Sequence, residues 1–145
     1  MSTFKFACRV GTTNPDVALG IKILIDDQTL FDSDHVTETV NVTADVSDED
    51  GVDRVLRIEL RGKNDSHTKI DTDGKILADT CILVDNFEFE DLDVTSVVNS
   101  VARYTHDTNG HDTLKEHAFY GELGCNGTVE MKFSTPVYIW LLENM

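Results

Sequence analysis

Apolar residues recur at every second position along most of this chain, and the alternating stretches end at turns rich in Asp, Asn and Gly. Val36, Val40, Val42, Ala44 and Val46 share one face, while Thr37, Thr39, Asn41, Thr43 and Asp45 share the other. A period of two places successive side chains on opposite faces of a strand, one buried and one wet. Leu19, Ile21, Ile23 and Ile25 repeat the pattern, as do Leu56, Ile58 and Leu60 with Arg57, Glu59 and Arg61 outward. Val129, Met131 and Phe133 alternate with Glu130, Lys132 and Ser134. Further strands are expected over 4–10, 28–31, 80–85 and 87–94, whereas 95–104 and 114–123 fit a short helix or a strand. The last run, 137–142, from Val137 to Leu142, is apolar on both faces. It reads as a strand covered on both sides, in the core or at a contact between subunits.

Pro15 and Pro136 both fall near strand boundaries. No internal repeat, low-complexity linker or domain boundary interrupts residues 1–145, so the expectation is one domain. About nine or ten strands separated by turns predict an all-β fold, a two-sheet antiparallel β-sandwich, jelly-roll-like in its connections. The length is enough to bury a core without staples.

Charge narrows the function. With 27 acidic and 12 basic residues the formal net charge is −15. That balance repels phosphate backbones and anionic membrane surfaces, so neither nucleic acid nor membrane is an expected partner. Cys8, Cys81 and Cys125 are odd in number and lack a C-x-x-C spacing, which argues against a zinc site or a disulfide framework. The first residues carry no apolar signal segment, so the host cytoplasm, or a virion assembled there, is the expected location.

The acidic turns offer the candidate chemistry. The segment 105–116 partly fits a twelve-residue calcium loop, with Asp107, Asn109, Gly110 and Glu116 at the expected places. Thr105 stands where the loop needs Asp, and no amphipathic helices flank it, which rejects an EF-hand. A looser oxygen site from Asp107, Asn109, Asp112 and Glu116 remains, against the alternative of a polar hairpin whose Asn-Gly supplies positive φ angles. Asp71, Asp73 and Gly74 form another acidic turn, followed by Asp79. Were strands 57–63 and 80–85 neighbours, Asp65 and Asp79 would approach, and a cation between them would relieve their repulsion. Separate solvated carboxylates explain the same residues.

His106, His111 and His117 lack the spacing of a helical zinc pair, although ligands borne on strands can assemble from them. No nucleophile elbow, P-loop or dinucleotide fingerprint is present. Tyr104 and Tyr120 bracket the 105–117 segment and are the aromatic rings best placed to stack on a sugar, with Asn109 hydrogen-bonding to it. Trp140 is expected in the core.

The span 21–94 resembles a calcium-dependent xylan-binding carbohydrate module. The likeness rests on the turn Ile23-Leu24-Ile25-Asp26-Asp27, the strand Val55-Leu56-Arg57-Ile58 and the closing segment Asp79-Thr80-Cys81-Ile82-Leu83-Val84-Asp85. It implies a calcium cofactor, and Asp79 is the one ligand it carries over, because Cys81 replaces the Asn of the closing motif. The C-terminal part, Phe119-Tyr120-Gly121-Glu122-Leu123-Gly124 through Trp140, together with Gly62-Lys63 and His106-Asp107, resembles uncharacterised proteins of tailed phages of marine bacteria. The expected function is a non-catalytic module binding carbohydrate, with calcium. The alternative is a virion assembly protein forming a homo-oligomer through Val137 to Leu142.

Overall fold

The computed structural model describes residues 3–62, 68–70, 72, 76–106, 115–124 and 126–144. The alternating stretches become β1 (Thr3–Thr12), β2 (Leu19–Ile25), β3 (Gln28–Val36), β4 (Val40–Ser47) and β5 (Val52–Arg61). A small hairpin of β6 (Thr68–Ile70) and β7 (Ile76–Asp79) follows, then β8 (Ile82–Phe89) and β9 (Leu92–Asp93). A short helix, α1 (Thr95–Val101), precedes β10 (Arg103–His106), β11 (Lys115–Ala118), β12 (Glu122–Leu123) and β13 (Gly127–Thr135). Helix α2 (Val137–Asn144) ends the described chain.

These strands build a β-sandwich. One sheet has the order β12-β8-β1-β4 with β9 paired to β8, and the other has the order β11-β10-β13-β5-β2-β3. The strand pairs are antiparallel, and the chain changes sheets repeatedly, as jelly-roll connections do. Between the sheets lie the residues that the alternation marks: Leu19, Ile21, Ile23, Ile25, Leu56, Ile58, Leu60, Val129, Met131 and Phe133 are all buried. Rings fill the centre. Phe89 packs against Phe4, Phe6, Phe133 and Trp140 with ring centroids 5.2 to 6.3 Å apart, tilted as aromatic pairs prefer. The thirteen described strands exceed the nine or ten expected because β6, β7, β9 and β12 are too short to leave a periodic signal.

Three expectations need correction. The run 137–142 is helical, so no strand forms there. Pro136 lacks the N–H a ladder needs and closes β13, while the N–H of Val137 donates to Asp48 Oδ1 at 3.0 Å. Val137, Trp140 and Leu141 turn inward at helical spacing and Tyr138, Ile139 and Leu142 turn out. In so short an apolar run, periods of two and of 3.6 are hard to tell apart.

The two strands read over 80–85 and 87–94 are largely one, β8. Its burial alternation breaks at Asn86, where φ is 52° and the pairing with β1 slips by one residue. That is a β-bulge, and Asn tolerates its left-handed backbone. Finally, β5 and β8 belong to different sheets, which removes the strand pairing meant to bring Asp65 towards Asp79. Among the described residues no helix is long and apolar enough to cross a membrane.

Candidate functional site

At one edge of the six-stranded sheet, β10 and β11 form a two-stranded arm hung on β13. The register pairs Tyr104 with His117 and His106 with Lys115. Tyr104, His106 and His117 therefore rise from the same face, the one that turns towards the core. Tyr104 is 3% exposed and sits inside. Two residues further along the strand His106 is only half-buried, and His117 is exposed. The core face of the sheet thus runs out into solvent here and carries polar rings with it.

The rings touch in sequence. Tyr104 lies 4.6 Å from His106 and 5.4 Å from His117, centroid to centroid. The two imidazoles meet at 4.9 Å, nearly edge to face, with their Nε2 atoms 2.9 Å apart. His117 Nδ1 donates to the Ala118 carbonyl at 2.8 Å, because that oxygen can only accept. Its neutral ring then carries the lone pair on Nε2, facing His106. Beyond it stands Tyr120, 76% exposed and almost parallel to the His117 ring at 13° and 6.4 Å. The following Gly121 has φ of 89°, a conformation open to glycine, and its carbonyl accepts from Val84 N–H.

Gly127 fixes the arm from below. It pairs with His106 across the β10–β13 ladder, and a methyl group there would collide with the Thr105 carbonyl and sit 2.6 Å from His106 Cα. The absence of a side chain is what lets the arm lie against β13 at this point.

The other face of the arm is charged. Glu116 pairs with Arg103 at 3.2 Å, and Glu130 on β13 pairs with Arg57 on β5 at 3.6 Å. Arg103, Thr105, Glu116, Glu130 and Lys132 line an open hollow of about 510 Å³. Another hollow, of about 490 Å³, lies between α2 and the strands, lined by Asp53, Arg54, Lys132 and Trp140.

The predicted site residues thus separate. Tyr120 is displayed, whereas Tyr104 is buried and supports the histidines in place of offering its own face. Glu116 faces away from Tyr104, because strand alternation puts it opposite Thr105. Asp107, Asn109 and Asp112 lie outside the described residues, as does the side chain of Asp79, whose backbone closes β7. Among the described residues, no group of three or more His, Cys, Asp or Glu is gathered to hold a metal ion. The adjacency of His106 and His117 needed the hairpin to become visible. Their odd separation puts them on one face only when the intervening loop has an even number of residues.

The thiol of Cys8, on β1 between β4 and β8, is buried, and burial, aided by the Asp85 charge, pushes its pKa up to about 12. A thiol so raised is inert as a nucleophile at neutral pH, in keeping with a packing role.

Fold and edge together define a class: an antiparallel β-sandwich displaying aromatic and imidazole side chains at the rim of one sheet. No protein-family model and no curated protein sequence matches the chain. Among solved structures the fold is similar to that of vCBM60 in complex with galactobiose, a carbohydrate-binding module. The TM-score is 0.53 at 12% identity, over 88% of this chain and 96% of that one. At that identity the likeness establishes the fold, and the site has to be argued from this chain's own residues.

Proposed function

We propose that this protein is a non-catalytic carbohydrate-binding module whose sugar site is the rim formed by Tyr120 and the His106–His117 pair. The observation that carries the reading is Tyr120. A phenol ring exposed to 76% and aligned with a neighbouring imidazole offers a flat apolar face with hydrogen-bonding groups beside it. Sugar rings present C–H bonds on their faces and hydroxyls at their edges, which is the complementary pattern. The similarity of fold to a module solved with galactobiose supports the same class of ligand.

Calcium belongs to this proposal through the oxygen-rich segment of Asp107, Asn109 and Asp112 and through Asp79. Glu116, which pairs with Arg103 at 3.2 Å, belongs to the same set.

Isothermal titration against galactobiose and xylo-oligosaccharides, with calcium and with chelator, tests the reading. Wild-type protein is expected to bind one of these sugars at millimolar concentration or below. Tyr120→Ala is expected to weaken binding at least tenfold, as the loss of a stacking ring does. Silence across the panel, or an unaffected Tyr120→Ala variant, overturns it.

A second reading rests on α2, where Tyr138, Ile139 and Leu142 are 51%, 55% and 83% exposed. An assembly protein would use such a face against another subunit. Light scattering decides: a stable oligomer that Leu142→Glu dissociates without unfolding favours assembly, and a monomer at high concentration removes it.

A further inference from the structure

We propose that His106 and His117 form a site for a borderline divalent transition-metal ion such as Zn²⁺, Ni²⁺ or Cu²⁺, distinct in chemistry from any oxygen-lined calcium site. Imidazole nitrogen is the donor these ions select, and calcium does not. The inference stands apart from the sugar reading and survives its failure.

Three features carry it. The first is distance. Two nitrogens bound about 2.05 Å from one ion lie about 2.9 Å apart at the right angle of a square-planar or octahedral site and about 3.3 Å apart at the tetrahedral angle of zinc, a small side-chain adjustment away. The observed Nε2–Nε2 separation is 2.9 Å. The second is orientation. Ligating histidines ordinarily donate their other ring N–H to a carbonyl or carboxylate, which fixes the tautomer. His117 does this through Nδ1 to the Ala118 carbonyl at 2.8 Å, leaving the Nε2 lone pair directed at His106. The third is support. His106 is held against the buried ring of Tyr104, over the glycine of the adjoining strand, and His117 is flanked by Tyr104 and Tyr120. Rings packed this way lose little freedom when an ion arrives.

Without an ion the pair closes as an N–H···N hydrogen bond donated by His106 Nε2. Binding requires that this proton move through solvent to His106 Nδ1, so that both Nε2 lone pairs face the ion. Water fills the remaining coordination positions, because the arm edge is exposed. The net charge of −15 raises the local concentration of cations around the whole molecule.

The test uses the full chain with Zn²⁺ alone, followed by imidazole ¹⁵N NMR. The Nε2 signals of His106 and His117 are expected to shift together and saturate at one equivalent, while His35, on the far edge strand β3, stays still. Calorimetric affinity for Zn²⁺ and Cu²⁺ is expected to fall at least tenfold in His106→Gln and in His117→Gln, and to stay within twofold in His35→Gln. If either arm variant fails to fold, the wild-type spectra decide alone. Zn²⁺ that binds without moving these two Nε2 signals, or that binds equally to both folded variants, overturns the proposal. Absence of Zn²⁺ binding up to millimolar concentration overturns it as well.

Discussion

The six-stranded sheet has two edges, and they are finished in opposite ways. At the β3 edge the polar groups are spent on holding the sandwich shut. Arg61 on β5 crosses β2 and meets both Asp32 and Asp34 on β3. It lies over Gly20, where any side chain would strike its Cγ. Gln28 donates to the Asp45 carbonyl on β4, across to the other sheet, at 3.2 Å. Asp26, in the β2–β3 turn at φ of 53°, takes the Val55 N–H on Oδ1 and the Arg54 guanidinium on Oδ2. At the β11 edge the inward-facing positions carry imidazole and phenol rings that leave the core and meet water. An edge strand is a liability unless it is guarded. One edge here is guarded by ion pairs, and the other displays side chains suited to binding. Acidic residues in turns therefore do not by themselves mark a site, since the clearest example, Asp26, is structural.

The largest expected effect that sharpens this comparison comes from Asp26→Ala. It leaves the Val55 N–H without its acceptor, leaves the half-buried Arg54 with the Ser47 carbonyl but without its carboxylate, and puts alanine at positive φ. Hydrogen bonds to charged groups contribute about 1.5–3 kcal/mol, so urea unfolding is expected to show a loss in that range. A loss below about 0.5 kcal/mol would break the claim that this turn is structural. Gly127→Ala comes next. It drives a methyl into the β10–β13 ladder and is expected to cost about 1–3 kcal/mol, as overpacking does. The NMR signals of His106 and Tyr104 are expected to shift with it. An unchanged histidine pair would show that the arm does not depend on that close approach.

Much of the scaffold was legible because alternation and burial are the same physical fact. Leu19 to Ile25 on one strand and Val129 to Phe133 on another needed only the period of two. The bulge at Asn86 hid that the stretches 82–85 and 87–89 belong to one strand. Helix α2 was misread because 137–142 is apolar at every position, which hides the period, and the signals that mark a helix are a preceding proline and an acceptor, Asp48, far away in the sequence. The site was legible in part. Tyr120 was among the residues expected to bind, yet pattern alone gave no means of separating it from buried Tyr104. The histidine pair depended on a register that the residues flanking 107–114 do not announce. Glu116 was grouped with Asp107 and Asp112 by sequence spacing, and its strand turns it away from Tyr104 and towards Arg103.

Tyr120→Ala tests the display edge itself. A ring that is mostly solvated contributes little to folding, so the change is expected to alter stability by no more than about 0.5 kcal/mol. Sugar binding, by contrast, is expected to fall at least tenfold. A variant that loses stability as Asp26→Ala does would make the two edges alike, and the comparison would fail.

The smallest effect expected is electrostatic and belongs to the guarded edge. The hydrogen bond from Arg61, with its charge and that of Lys22 acting the same way, holds the Asp32 carboxyl below its ordinary range. The guanidinium of Arg61 is correspondingly raised by Asp32 and Asp34. Because the folded pKa of Asp32 is depressed, its contribution to stability is present above the unfolded value, near 3.8, and is lost as pH falls through the folded one. Arg61→Gln is expected to raise the Asp32 midpoint towards its ordinary value, read by carboxyl ¹³C NMR. Its stability is expected to differ from that of wild type at neutral pH and to converge with it in strong acid. Both carboxylates are exposed, so salt is expected to shrink the difference. A midpoint indifferent to Arg61 would mean that the clamp is geometric only, and that the β3 edge is held by packing over Gly20 instead of by charge.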